Sequence, residues 1–315
     1  MQFTRWAPSR LFVTLMLVFA GIAPGADAAP VFYGYVRDSS GGFTTINPPG
    51  ATFAEASDVG ASGQIVGAYT DGAGTHGYLL DGGVFTTIDY PSALYTAAAR
   101  INTAGDVVGV YGDAGGFHGF LKQGGTFSAI NVSGASYTDA SGLNDSGVIV
   151  GNFQDAGGFH GYRLSGGVFT TIDVAGATLT SASDVNNAGV IVGSFTNGSG
   201  THGFVLNGGV FTTVDVAGAT LTSIRGINNA GDFVGVYADA SGVYHGFLDR
   251  GGVVTTINFP SAGFTESRGI GDDGAVVGAY YVPEPPSLAM GAVAAASGLA
   301  SSFHRRRRRI VRAGV

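Results

Sequence analysis

Between residues 31 and 281 the apolar positions recur every second residue in short runs, and no segment sustains the roughly 3.6-residue period of a helix. Residues 202–221, HGFVLNGGVFTTVDVAGATL, carry the pattern in miniature. HGFVL and VFTTVD are aromatic and β-branched, and the NGG between them is a tight-turn signal, so the pair predicts a β-hairpin. VIVGSF, entered through the turn NNAG, predicts another strand. TLTSASDV alternates small and polar residues and predicts a fourth, weaker one. The chain between these limits is therefore expected to be all-β.

The same words return along the chain. His76, His118, His160, His202 and His245 each precede a glycine and an aromatic residue, at a spacing of 42 residues with a final step of 43. A valine-glycine pair keeps step with them at Val66-Gly67, Val108-Gly109, Val150-Gly151, Val192-Gly193, Val234-Gly235 and Val277-Gly278. Four short antiparallel strands per unit of this length are the pattern of propeller blades. In the frame set by the histidines, the chain opens with only the first half of a unit, YGYV and FTTIN, and ends with the other half, SRGIG and AVVGAY. Pairing of these pieces closes a ring with no free sheet edge. Residues 31–281 are thus expected to form a six-bladed β-propeller, five blades continuous and one composite. The alternative is a β-solenoid, which needs polar end caps that the sequence does not display.

The unit resembles the bacterial extracellular repeats called HAF. The stretches from Ile227 to Gly235 (INNAGDFVG) and from Ile101 to Gly109 (INTAGDVVG) match the family's Ile-Asn and Val-Gly pattern, with His-Gly-Phe in place of His-Ala-Phe. The resemblance implies a repeat protein outside the cell, and no particular chemistry.

Both ends carry export features. Arg5 and Arg10, an apolar run over residues 11–23 and the small-residue site Ala26-Asp27-Ala28 read as a secretory signal peptide spanning residues 1–28, cleaved after Ala28. Residues 282–315 begin with Val282-Pro283-Glu284-Pro285, continue through a moderately apolar segment over residues 287–303, and reach five arginines, Arg305, Arg306, Arg307, Arg308 and Arg309. A breaker, a short membrane segment and a basic stop place the arginines in the cytoplasm and everything before them outside. This end resembles the PEP-CTERM sorting signal. The resemblance implies an exosortase-type processing enzyme as partner, a bacterial host that makes exopolysaccharide, and transient or permanent anchoring by a C-terminal transmembrane helix. The apolar segment is richer in Ala, Gly and Ser than the family's usual Leu.

Composition narrows the chemistry. The chain has no cysteine, which excludes disulfides, thiolate metal sites and a thiol nucleophile. Residues 31–283 hold 7 basic and 20 acidic side chains, a formal charge of −13, so nucleic acid is a poor partner. Glycine, at 55 of 315 residues, falls in turns and gives no dinucleotide fingerprint.

The five histidines occupy one repeat position, so they are expected to sit round a ring as structural corners, each donating to a backbone carbonyl. Asp71, Asp113, Asp155, Asn197 and Asp239 stand beside glycines in polar loops. Calcium is a candidate there, but Asx turns explain the same pattern without a metal. Residues that break the repeat are the candidate ligand contacts: Arg100, Arg225 and Arg268, near the position before Ile-Asn or Ile-Gly, and Tyr90, Tyr95 and Tyr137, whose rings could stack on sugars. Filling gaps between blades is their alternative role. No paired carboxylates, Ser-His-Asp set or phosphate loop stands out, so no catalytic residue is expected. The reading is an exported structural or binding module of the envelope or extracellular matrix, without cofactor. Its rivals are a carbohydrate-binding or carbohydrate-active propeller, which convergent acids and aromatics in the central depression would favour, and a calcium-stabilised adhesin.

Overall fold

A computed structural model describes residues 31–283, and every regular element in them is a β-strand. The expected signal peptide with Ala26 and Ala28 lies outside the described residues, as do Glu284, Pro285, the apolar segment and the five arginines. Among the described residues no helix is long and apolar enough to cross a membrane. Pro283 is exposed and follows the last strand.

The chain opens with β1 (Phe32–Arg37) and β2 (Phe43–Ile46), then builds five sheets in turn. Blade 1 is β3 (Phe53–Val59), β4 (Ile65–Thr70), β5 (Thr75–Asp81) and β6 (Val84–Ile88). Blade 2 is β7 (Tyr95–Ile101), β8 (Val107–Asp113), β9 (Gly116–Gln123) and β10 (Thr126–Ile130). In blade 3 the first strand is split into β11 (Tyr137–Thr138) and β12 (Gly142–Leu143), followed by β13 (Ile149–Asp155), β14 (Gly158–Ser165) and β15 (Val168–Ile172). Blade 4 is β16 (Leu179–Val185), β17 (Ile191–Asn197), β18 (Gly200–Asn207) and β19 (Val210–Val214). Blade 5 is β20 (Leu221–Ile227), β21 (Phe233–Ala238), β22 (Tyr244–Arg250) and β23 (Val253–Ile257). The chain ends in β24 (Phe264–Ile270) and β25 (Val276–Tyr281), which join the first two strands in the order β2-β1-β25-β24. Six residue pairs, from Phe32 with Tyr281 to Arg37 with Val276, fasten the two ends of the ring. The architecture is a six-bladed propeller, and the solenoid alternative falls away.

Each repeated word has a mechanical task. Gly82 and Gly83 adopt φ of 54° and 84°, the pair of left-handed residues that a tight hairpin between the two outer strands requires. The glycine of the Val-Gly pair makes room: a Cβ on Gly193 would stand 1.9 Å from the Ser181 carbonyl and 2.9 Å from the ring of Phe204. That ring and its counterparts Tyr35, Tyr78, Phe120, Tyr162 and Phe247 are the fully buried aromatics of the six sheets. Burying each contributes about 1.5–3 kcal/mol.

The NNAG turns do more than reverse the chain. Asn186 Oδ1 accepts from the backbone of Ala188 and Val190 within its own turn, while its Nδ2 donates to the Asn228 carbonyl of the next blade. Asn144 and Asn228 reach forward in the same way, and the backbone N–H groups of Asp145, Asn187 and Asn229 donate to the following blade's turn side chain. The sequence period of 42 thus reappears as a chain of inter-blade hydrogen bonds.

The first strand of each blade lies innermost, and it is not the weak strand its composition suggests. β16 is seven residues long and mostly buried. Its small and polar side chains reflect convergence of six strands on one axis, where large apolar residues do not fit. In β3, β7, β16, β20 and β24 the register with the neighbouring strand slips by one residue, at Ser57, Ala99, Ser183, Arg225 and Arg268 respectively. Such a bulge re-aims side chains locally. In blade 3 the strand breaks at the same place.

Candidate functional site

The axis carries the departures from the repeat. Three residues into the inner strands stand Glu55, Ala97, Asp139, Ser181, Ser223 and Glu266; at the bulge, two residues on, stand Ser57, Ala99, Ser141, Ser183, Arg225 and Arg268. Apart from Asp139 of blade 3, the charged members cluster on three consecutive blades: blade 5, the closing blade and blade 1. Arg268 Nη2 lies 3.1 Å from Glu55 Oε2, and both Nε and Nη2 of Arg268 contact Glu266 Oε1 at 2.5 Å. Burial works against the charge on Arg268, but Glu266 and Glu55 outweigh it and raise its pKa. Burial pushes the Glu55 carboxyl up, with Arg268 opposing.

Arg225 differs from its neighbour. Its Nε is buried without a hydrogen-bond partner, and among the described residues no ion pair reaches its guanidinium. Burial lowers its pKa, and the nearby Glu266 opposes that only in part. Tyr95 and Tyr137, the first residues of their inner strands, are half-buried at the same end of the axis. Burial and the charge of Glu55 raise the Tyr95 phenol. Tyr137 donates to Asp139 Oδ2 at 2.7 Å, and Asp139 also accepts from Ser141 and Asn152. Burial still raises the Asp139 carboxyl.

Arg100, one residue past the bulge, closes the axis beyond this cluster. Its Nη1 donates to the carbonyls of Ser57 and Ala99, and its Nη2 to those of Arg225 and Arg268. Its Nε stands 3.1 Å from Asp184 Oδ2, an ionic contact whose hydrogen points off the oxygen. One buried side chain therefore ties blades 1, 4, 5 and the closing blade to blade 2. Asp58 and Asp184 flank it, each accepting a backbone N–H from the adjoining or next blade, Ile101 and Ile227 respectively. Burial lifts the Asp58 carboxyl to about 6 against the pull of Arg100, and lifts that of Asp184 likewise.

Of the residues singled out in the sequence, Arg225, Arg268, Tyr95 and Tyr137 therefore come together at the axis. Arg100 spends its two terminal nitrogens on four backbone carbonyls and its charge on Asp184. Tyr90 sits in the loop between blades 1 and 2, stacked on Tyr111 at 3.6 Å with the planes 1° apart. Glu55, Glu266 and Asp139 escaped notice. The signal for them is present: the third position of the inner strand reads Glu, Ala, Asp, Ser, Ser, Glu through the six units.

The histidines stand at blade corners, but their partners are side chains, not the expected backbone carbonyls. Nδ1 of His76, His160 and His202 faces Asp89, Asp173 and Asp215 at 2.9–3.0 Å, and Nδ1 of His118 and His245 faces Asn131 and Asn258. An acidic or amide side chain at the end of the outer strand is chemically the better acceptor, and the hairpin register brings it alongside. Each ring also lies against an aromatic residue of the preceding strand, as His202 does on Phe195 at 5.3 Å. The loop carboxylates form Asx turns: Asp71 accepts from Ala73 N, Asp113 from Gly115 N and Asp155 from Gly157 N. Those backbone donors hold the carboxyls of Asp71 and Asp113 below their ordinary values. Among the described residues no three His, Asp or Glu side chains are grouped to hold a metal ion.

Blade 5's neighbour, blade 4, contains an arrangement the sequence did not announce. Ser199 Oγ lies 3.0 Å from His202 Nε2, whose Nδ1 faces Asp215 at 2.9 Å. The hydroxyl hydrogen of Ser199 is directed to Asn197 Oδ1 at 2.6 Å, and Ser199 N–H donates to the same oxygen, which fixes that amide's orientation. The hydroxyl therefore does not donate to the imidazole, as an activated nucleophile must. The same His-Asp corner stands in blades 1 and 3; in blade 1 Ala73 takes the repeat position of Ser199, and His76 Nε2 faces Asp71 Oδ1 at 3.5 Å.

These features define the class: a six-bladed propeller whose axis holds one asymmetric polar cluster. No family model matches the chain, and no curated protein matches it. Among solved structures it is similar to one assigned as TolB from Agrobacterium tumefaciens, with a TM-score of 0.63 and 13% identity over 81% of this chain and 100% of that one. TolB from Acinetobacter baumannii matches with a TM-score of 0.53 and 13% identity, over 85% of this chain and 67% of its own. AofleA from Arthrobotrys oligospora matches at 0.50 and 16% identity, covering 73% and 80%. At these identities the likeness establishes the fold alone.

Proposed function

We propose that the chain is an exported, non-enzymatic binding module of the cell envelope or extracellular matrix, delivered by its signal peptide and handed to an exosortase-type enzyme through its C-terminal signal. Its ligand site is the axial cluster of Glu55, Glu266, Arg225, Arg268, Tyr95 and Tyr137. The observation that carries this reading is the buried Nε of Arg225, which has neither a hydrogen bond nor an ion pair among the described residues, whereas the likewise unbonded Glu55 Oε2 and Arg100 Nε each face an opposite charge at 3.1 Å. A buried cation lacking a partner is destabilising by several kcal/mol, and a binding site is where a fold tolerates that cost. The composition of the ends supports export, and the charge of −13 over residues 31–283 directs the search away from nucleic acid and anionic surfaces.

A thermal-shift screen of the exported protein against polar small molecules and glycans, run beside Arg225→Ala, tests the site. A ligand that raises the melting temperature of the parent and leaves the variant unmoved supports it; hits indifferent to the substitution would place binding elsewhere. Mass analysis of the mature protein from an exosortase-bearing host and from its deletion strain tests the sorting. An unchanged C-terminus beyond Pro285 in both would refute it.

A further inference from the structure

We infer that the axial recess takes a terminal residue of an uncharged saccharide, gripped through a pair of neighbouring hydroxyls by Arg225 and Glu266. The inference rests on the axial site just described and names what enters it. Arg225 demands oxygen acceptors, because its Nε is buried and unpaired. The chemistry around it decides which kind. Glu55, Glu266, Arg225 and Arg268 carry two negative and two positive charges, so the cluster is already balanced. A carboxylate or phosphate entering it would tip the balance towards repulsion from Glu55 and Glu266, inside a domain of formal charge −13. A hydroxyl brings no charge and has both a lone pair and a hydrogen.

The complementary acceptor is in place. Glu266 takes Nε and Nη2 of Arg268 on Oε1, and a carboxylate has about four lone-pair sites with which to accept a further donor. A diol that accepts from Arg225 and donates to Glu266 answers both groups at once. The start of the inner strands supplies the other half of a sugar site. Phe53, Tyr95, Tyr137 and Phe264 are half-buried there, with Leu179 and Leu221 completing the circle. Aromatic side chains ringing the start of the inner strands suit the apolar C–H side of a sugar ring, whose hydroxyls then point inward. Arg100 and its four carbonyl partners close the axis below, so the recess admits the end of a chain and not its middle.

The test uses the exported protein and saturation-transfer NMR with titration against methyl glycosides of glucose, galactose and mannose, beside glucuronate and galacturonate. At least one neutral glycoside binds, and Arg225→Ala weakens it by about tenfold or more, the loss expected for a charge-assisted hydrogen bond, with melting not lowered, since the variant loses a buried and unpaired group. Glu266→Gln also weakens it. If a uronate binds more tightly than its neutral counterpart in an Arg225-dependent way, the uncharged class is wrong while the axial site stands. If no probe binds the parent, or neutral binding ignores Arg225→Ala, the saccharide inference is overturned; should the wider screen also lack Arg225-dependent hits, the axial site falls with it.

Discussion

Arg100→Leu is the sharpest test of how the ring is held at its centre. The substitution replaces the guanidinium arm with a shorter apolar side chain, leaves Asp184 without its cation, and strips a donor from the carbonyls of Ser57, Arg225 and Arg268. Removing one partner of a buried ion pair costs about 3–5 kcal/mol, against a total stability of about 5–15 kcal/mol for a typical domain. The pH dependence separates this cause from a mere packing defect. The folded Asp58 carboxyl sits at about 6, above its ordinary 3.8, so the native state binds the proton more tightly than the unfolded chain. Its contribution is therefore present at acid pH and is lost as pH rises through about 6. For these two values the linkage relation gives a gain of about 1 kcal/mol on going from pH 7 to pH 5. Arg100 holds that pKa down, so in the leucine variant it climbs further, as does that of Asp184, and the recovery at pH 5 grows. The only tryptophan, Trp6, lies outside the described residues, so urea unfolding is followed by far-ultraviolet circular dichroism at the two pH values. A loss under about 1 kcal/mol at pH 7, or one identical at pH 5, would refute the reasoning.

Other outcomes follow from single positions. Gly193→Ala places a Cβ 1.9 Å from the Ser181 carbonyl, so blade 4 must shift; a loss of about 3 kcal/mol or more is expected in the same unfolding assay, and a neutral result would contradict the close approach. Ser92 and Ser261 adopt φ of 63° and 64° where the other units carry glycine, so Ser92→Gly and Ser261→Gly should each relieve backbone strain, offset in part by unfolded-chain entropy, for a net gain up to about 1 kcal/mol in melting experiments. Ser199 should resist a fluorophosphonate probe, because its hydrogen is committed to Asn197; labelling at Ser199 that His202→Ala abolishes would reverse that assignment.

The repeat made the fold legible because each recurring word answers a backbone requirement. The paired glycines at 82–83 demand a left-handed turn, and the glycine of each Val-Gly pair marks where an aromatic ring passes close. Such requirements are local, and a single chain repeats them six times. The partners of the histidines were less legible. Asp89 and His76 are 13 residues apart and meet only because the hairpin register folds one strand end over the other, a distance relation that a list of words does not contain. The inter-blade ties from Asn186 to Asn228 are hidden in the same way: in sequence they look like ordinary turn residues, and the ring alone brings the next unit's carbonyl within reach.

The axis was legible only in part, and the bulge explains why. Arg100, Arg225 and Arg268 look equivalent, since each precedes an isoleucine by one or two residues. Arg225 and Arg268 are the bulge residues themselves, whereas Arg100 follows its bulge, and Gly226 and Gly269 occupy its position in the other two strands. Those glycines are required there: a Cβ on Gly226 would stand 2.6 Å from the Arg268 carbonyl, and one on Gly269 would stand 2.7 Å from Ser57's. The strands thus approach so closely that only one long side chain fits at this level, and Arg100 takes it as the closing group. One step along the chain, past a single extra residue, separates Arg100, whose guanidinium the fold ties to four carbonyls, from Arg225, whose Nε it leaves without a partner.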